Sequence, residues 1–201
     1  MTWQHLLLLS AAALAMPGEA AAQRWFVGVG GAYAAVHEGD TDVSATRPGV
    51  HLAVGRSVWR GATTEITAGV EGTAYGLGDE DPELTDFIPG TSTFQRIPEV
   101  AGTQVLLAFV QFQAAGFYVR PGIGLGRHSF ASYLFGPGNQ VQDAYVGHEA
   151  GPAAGIAAGY AVPLGRGVSL GLEGVAVVSH GEDSSASRGV YGLRIVPTFR
   201  P

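Results

Sequence analysis

Cysteine and lysine are both absent from the 201 residues. Without cysteine there is no disulfide framework, no thiolate zinc site, no thiol nucleophile and no residue to carry a lipoprotein's acyl chains. Without lysine the eleven basic residues are all arginine, and against seventeen acids they leave a net charge of −6, so no basic surface offers itself to nucleic acid. Charge of either sign is scarce, at 14% of residues where a globular domain carries about 25%. A disordered chain needs the reverse, high charge with low hydrophobicity, and this one is 46% hydrophobic with a mean hydropathy of +0.19. Long apolar runs are also missing: beyond the N-terminal region nothing approaches the ~18 uncharged apolar residues of a transmembrane helix. A chain of this kind enters a membrane only as a closed barrel. What is abundant is glycine, 31 of 201, about twice the usual share and without the three-residue period of collagen.

The N-terminus reads as an address. Leu6 to Met16 is an apolar run too short to span a bilayer, followed by Pro17, Gly18 and the small residues Ala20, Ala21 and Ala22 ahead of Gln23. Residues 1–22 are therefore expected to be a cleaved export signal, and 23–201 a single β-barrel domain.

Turn signals cut the remainder into eight stretches of tilted-strand length: Arg24–Val36, Gly49–Trp59, Thr64–Tyr75, Val100–Gln113, Phe117–His128, Ala150–Val162, Val168–Ser179 and Gly189–Phe199. The connections alternate. Arg60–Thr63, Ala114–Gly116 and Pro163–Gly167 are short, while His37–Pro48, Gly76–Glu99, Ser129–Glu149 and His180–Arg188 are long and polar. An up-and-down transmembrane barrel with short periplasmic turns and long extracellular loops has this order.

Side-chain alternation sets the faces. In the third stretch Ile66, Ala68 and Val70 oppose Glu65, Thr67, Glu71 and Thr73; in the fifth Val119, Ile123 and Leu125 oppose Arg120, Gly122, Gly124 and Gly126. Large apolar residues take one face, small or charged ones the other, which is the apolar-out pattern of a membrane barrel. The fourth stretch is apolar on both faces, and Leu106, Ala108, Val110 and Phe112 are assigned outward so that Gln111 and Gln113 point in. Aromatics fall near the strand ends: Trp25, Trp59, Phe112, Phe117 and Phe199 at the short-turn end, Tyr33, Tyr75 and Tyr191 at the other. Pro121, Pro152 and Pro197 lie within strands, where each implies a bulge or a strand end.

The export signal, the eight alternating strands and the last stretch, with Tyr191, Leu193, Ile195 and Phe199 on one parity, resemble the small outer-membrane barrels of the OmpA and OmpX type. The resemblance implies residence in the outer membrane of a diderm bacterium, contact with its lipid, and recognition of the strand ending at Phe199 by the barrel-assembly machinery. It implies no cofactor.

Parity turns Glu71, Arg120, Glu173 and Arg194 inward, where they are expected to meet at mid-height. A lumen this narrow is filled by side chains, and charges within it must pair or incur several kcal/mol of desolvation each. Arg194 and Glu173, on adjacent strands, are the expected direct pair. A structural plug is the favoured reading; a narrow gated channel is the alternative.

The long connections hold thirteen acids and three arginines, the strands and short turns three acids and eight arginines. An acidic crown facing outward follows. Its densest part carries Asp79, Asp81, Glu83 and Asp86, weak candidates for divalent cations without EF-hand spacing, so a solvated charge run is the default. Of the histidines near this rim (His37, His51, His128, His148 and His180), parity turns only His51 and His128 inward, and no metal site is expected. His128, Ser129, His148 and Glu149 supply the residue types of a lipid hydrolase, but neighbours in a strand face opposite sides, so His128 and Ser129 are not expected to cooperate. The sequence thus points to a non-enzymatic barrel with a structural or surface-interaction role. A lipid-modifying enzyme and a soluble periplasmic lipid-binding barrel remain the other readings.

Overall fold

The structure, a computed structural model, describes residues 25–38, 44–76, 95–135, 141–181 and 187–200. Eight strands run in chain order: β1 (Trp25–Glu38), β2 (Ser44–Arg60), β3 (Thr64–Tyr75), β4 (Gln95–Ala114), β5 (Phe117–Phe135), β6 (Val141–Gly165), β7 (Val168–His180) and β8 (Ser187–Phe199). Each pairs antiparallel with the next, and β1 pairs with β8, so the sheet closes into a barrel without a free edge. All the regular structure among the described residues is strand. The expected signal segment lies outside the described residues.

Strand number and order follow the sequence expectation; several boundaries do not. About ten residues suffice for a tilted strand to cross a bilayer, yet β4, β5 and β6 have 20, 19 and 25. Their surplus pairs from Gln95↔Tyr133 and Phe135↔Val141 downwards, so much of the expected Ser129–Glu149 loop is a continuation of two strands. A ladder beyond the apolar band needs no apolar alternation, which is why this stretch reads as loop.

The short turns are tighter than expected. β4 and β5 are joined by Ala115 and Gly116 alone, with φ of 49° and 88°. Two successive positive φ values define a two-residue hairpin turn whose twist matches the strands. Alanine in this region costs about 1–2 kcal/mol, which asparagine largely avoids. Ala115→Asn is therefore expected to raise stability by up to about 1 kcal/mol, seen as a higher urea midpoint of the refolded protein. Arg166 and Gly167 (φ 73°) make the corresponding turn between β6 and β7.

Two of the three strand prolines act differently from expectation. Pairing skips the positions around Pro121 between Phe109↔Gly122 and Phe112↔Val119, and those around Pro197 between Gly28↔Thr198 and Gly31↔Ile195, with no change of register. Each proline removes a ladder donor, and the closed sheet spans the gap without a bulge. Pro152 sits just beyond the end of the β6–β7 ladder at Ala153↔Ser179.

The chain is inside-out relative to a soluble protein. Ile123, Phe117 and Leu193 are 70%, 67% and 63% exposed, whereas Glu71, Arg120, Glu173 and Arg194 are buried. In β4 Leu106, Val110 and Phe112 face out, as expected, and Val105, Leu107, Phe109 and Gln111 face in. The second apolar face of β4 has a local reason. Leu107 and Phe109 stand in register with Gly124 and Gly122 of β5, so large side chains fill the space that glycines leave. One correction concerns the aromatics: Tyr75 is buried, because it shares the inward parity of Glu71 and Thr73, and does not belong to an outer belt. Tyr160 joins the short-turn aromatics instead, its ring 4.7 Å from that of Phe117.

Candidate functional site

Four strands contribute the charges of the lumen: Glu71 from β3, Arg120 from β5, Glu173 from β7 and Arg194 from β8. Arg120 is the hub. Its Nη2 donates to both oxygens of Glu173, at 2.7 and 2.8 Å, and its Nε lies 2.8 Å from Glu71 Oε2 as an ion-pair contact outside hydrogen-bond geometry. Arg194 Nη1 lies 3.2 Å from Glu173 Oε1 and 3.5 Å from Glu71 Oε1. Glu173 and Arg194, the expected direct pair, are register partners on adjacent strands, but the shortest contacts to Glu173 come from Arg120. Two further side chains complete the network: Tyr118 Oη donates to Glu173 Oε2 at 2.8 Å, and Arg120 Nη1 donates to Gln111 Oε1 at 3.3 Å. The Arg120 guanidinium also lies over the Phe109 ring, 5.3 Å from its centre. Two cations and two anions balance in charge, and all four residues are buried.

Polar pairs lie on either side. Toward the long-loop end His51 Nδ1 is 3.0 Å from Thr73 Oγ1, His128 bridges Thr103 and Ser179, and Arg188 lies 3.7 Å from Glu149. Buried apolar side chains, including Tyr75, Val105, Leu107, Val177 and Val190, fill the lumen around them. At the short-turn end Glu65 receives Arg60 at 2.8 Å and Arg200 at 2.7 Å, and Arg200 also donates to Gln113 at 3.2 Å. This lower cluster was not anticipated. Arg200 reads as trailing beyond the last strand, and nothing in the sequence links it to Glu65, 135 positions away.

No protein-family model and no curated protein matches the sequence. Solved structures do. Ail, the attachment invasion locus protein of Yersinia pestis, superposes with a TM-score of 0.53 at 12% identity, over 89% of this chain and 100% of that one. Ail in complex with the heparin analogue sucrose octasulfate gives 0.50 at 10% identity over the same shares. The fold is that of the small eight-stranded outer-membrane β-barrels. Neisserial surface protein A is a further similar structure, with a TM-score of 0.47 at 12% identity over 86% of this chain and 95% of that one.

The remaining candidates separate rather than converge. Asp79, Asp81, Glu83 and Asp86 lie outside the described residues, and among the described residues no group of three or more His, Asp or Glu is placed to hold a metal ion. His128 and Ser129 point to opposite faces, as their adjacency requires. Ser129 instead meets His148 of the neighbouring strand, its Oγ 3.0 Å from Nδ1, on the outward parity. Glu149 lies near Arg188, on the opposite parity to His148, so this pair has no carboxylate from it to orient the imidazole.

Proposed function

We propose that the chain is exported and embedded in the outer membrane as a barrel with a closed lumen, and that its role is structural or exercised through its outer rim. The observation that carries this reading is the inverted distribution of polarity, with buried charges inside and large apolar side chains outside. Such a wall is stable only against lipid. The outward exposure of Tyr191, Leu193, Ile195 and Phe199, between 49% and 63%, supports delivery of the last strand to the barrel-assembly machinery. Cleavage ahead of Gln23 is part of the same reading, and N-terminal sequencing of the membrane-bound protein tests it.

A closed lumen argues against a channel. A conducting path must break the contacts of Arg120 to both carboxylates, and Arg194, the other cation that reaches both, contacts them at the longer distances of 3.2 and 3.5 Å. The refolded protein is expected to show no steady conductance in planar bilayers, and a reproducible open level in the unaltered protein would contradict the plug. The placing of Glu149 on the face opposite His148, beside Arg188, supports a non-enzymatic role.

The long connections, with their excess of acids, favour cationic partners or divalent ions bridging to anionic headgroups. The Ail structure holds a sulfated sugar; an acidic crown here disfavours a polyanion of that kind. Recovery of the protein in the outer-membrane fraction, resistant to urea extraction, tests the central reading, and recovery in the soluble periplasmic fraction would overturn it.

A further inference from the structure

The apolar wall is not uniform. At Gly72 and Ala74 of β3 the outward side chains shrink to a hydrogen and a methyl, while Val50 and Leu52 of β2 and Leu106 of β4 stand up on either side. The result is an open groove of about 550 Å³ whose lining is mostly apolar. One end of it is polar: Gln104 and Arg127, register partners on β4 and β5, both exposed.

Arg127 has the outward parity of Ile123 and Leu125 and, like Arg166 in the β6–β7 turn, has no hydrogen-bond or ion-pair partner among the described residues. Its height explains what it can meet. Ten residues of a tilted strand separate it from Phe117 at the short-turn edge, a rise of about 25 Å, which is the height of the apolar band of such barrels. The guanidinium thus stands at the headgroup level of the leaflet on the long-loop side, directly above an apolar furrow. Ser129 and His148 continue the polar surface two positions further out.

We propose that this groove is a lipid site, in which one acyl chain of a phosphate-bearing membrane lipid lies over Gly72 and Ala74 and its phosphate is held by Arg127. The chemistry is complementary at both ends. A planar guanidinium with no partner among the described residues matches a phosphate in bidentate geometry, and a furrow gives a chain more contact than a flush stretch of wall does. The inference rests on the membrane reading above.

Native mass spectrometry of the full chain refolded in nonionic detergent tests it, with dimyristoylphosphatidylglycerol and dimyristoylglycerol, which has the same chains and no phosphate, as probes. The anionic lipid is expected to load at about fivefold lower concentration, the contribution of one arginine at a membrane surface. Arg127→Gln is expected to remove that preference. Gly72→Leu is expected to reduce loading of both lipids by filling the furrow. This variant has room to fold, because the atoms nearest to an added Cβ are Val105 O at 3.9 Å and Leu106 Cδ1 at 4.0 Å. Inorganic phosphate at equal concentration is expected not to displace the lipid. Equal loading of the two lipids, a preference that survives Arg127→Gln, or loading unaffected by Gly72→Leu would each overturn the site in a folded protein. A chain that fails to fold in detergent overturns the membrane reading itself.

Discussion

Arg120→Met is expected to lower the unfolding free energy by about 3–5 kcal/mol, the cost of removing one partner from a buried charge network. Methionine occupies much of the same space, so the effect is electrostatic in origin. Arg120 contacts Glu173 at 2.7 and 2.8 Å and Glu71 at 2.8 Å. Its loss leaves two buried carboxylates to share Arg194, whose contacts are longer at 3.2 and 3.5 Å. Arg194→Ala is expected to be destabilising in the same direction but by less, since Arg120 still bridges both acids. Urea unfolding in lipid vesicles, followed by the fluorescence of Trp25 and Trp59 on the outer wall, measures both. A midpoint unchanged by Arg120→Met would mean that the carboxylates find water, and hence that the lumen is not closed.

The second large effect comes from a hydrogen atom. Gly124 faces the lumen beside Leu107, and a Cβ built on it would clash with the carbonyl oxygen of Leu106 on the neighbouring strand. A side chain can rotate away; a backbone carbonyl held in a closed ladder cannot. Gly124→Ala is expected to cost about 3 kcal/mol or more, the upper range of overpacking, and to abolish most refolding. Gly72→Ala, the same change on the open outer face, is expected to be nearly neutral. The fraction showing the heat-dependent gel migration of folded barrels reports both. Comparable yields for the two variants would contradict the packing of Leu107 and Phe109 into the glycine positions of β5.

The period of two made most of this legible in the sequence. It placed Glu71, Arg120, Glu173 and Arg194 on one side of their strands, and because a barrel has a single narrow interior, a shared side amounts to a meeting. It also resolved β4 from two glutamines alone. Where side-chain type was weighed above parity the reading went astray, as at Tyr75, whose position inside follows from Glu71 and Thr73. Composition misled at Ser129–Glu149, since a strand that has left the apolar band carries the polar residues of a loop. The partners of Glu65 could not be foreseen, because closure of the barrel alone brings Arg200 back to the start of β3. The outer groove was equally hidden: Gly72 and Ala74 look like ordinary small strand residues until the larger neighbours on both sides are in place.

The orientation of the wall is the claim on which the rest depends. With no native cysteine, single spin labels attached after Leu170→Cys, Leu172→Cys and Val178→Cys sample the outward parity of β7, positions 37%, 60% and 47% exposed. In reconstituted vesicles the account predicts that all three collide readily with lipid-soluble oxygen and poorly with an aqueous nickel chelate. Ready collision with the chelate at Leu172, in the middle of the strand, would show that this face meets water and would contradict the account.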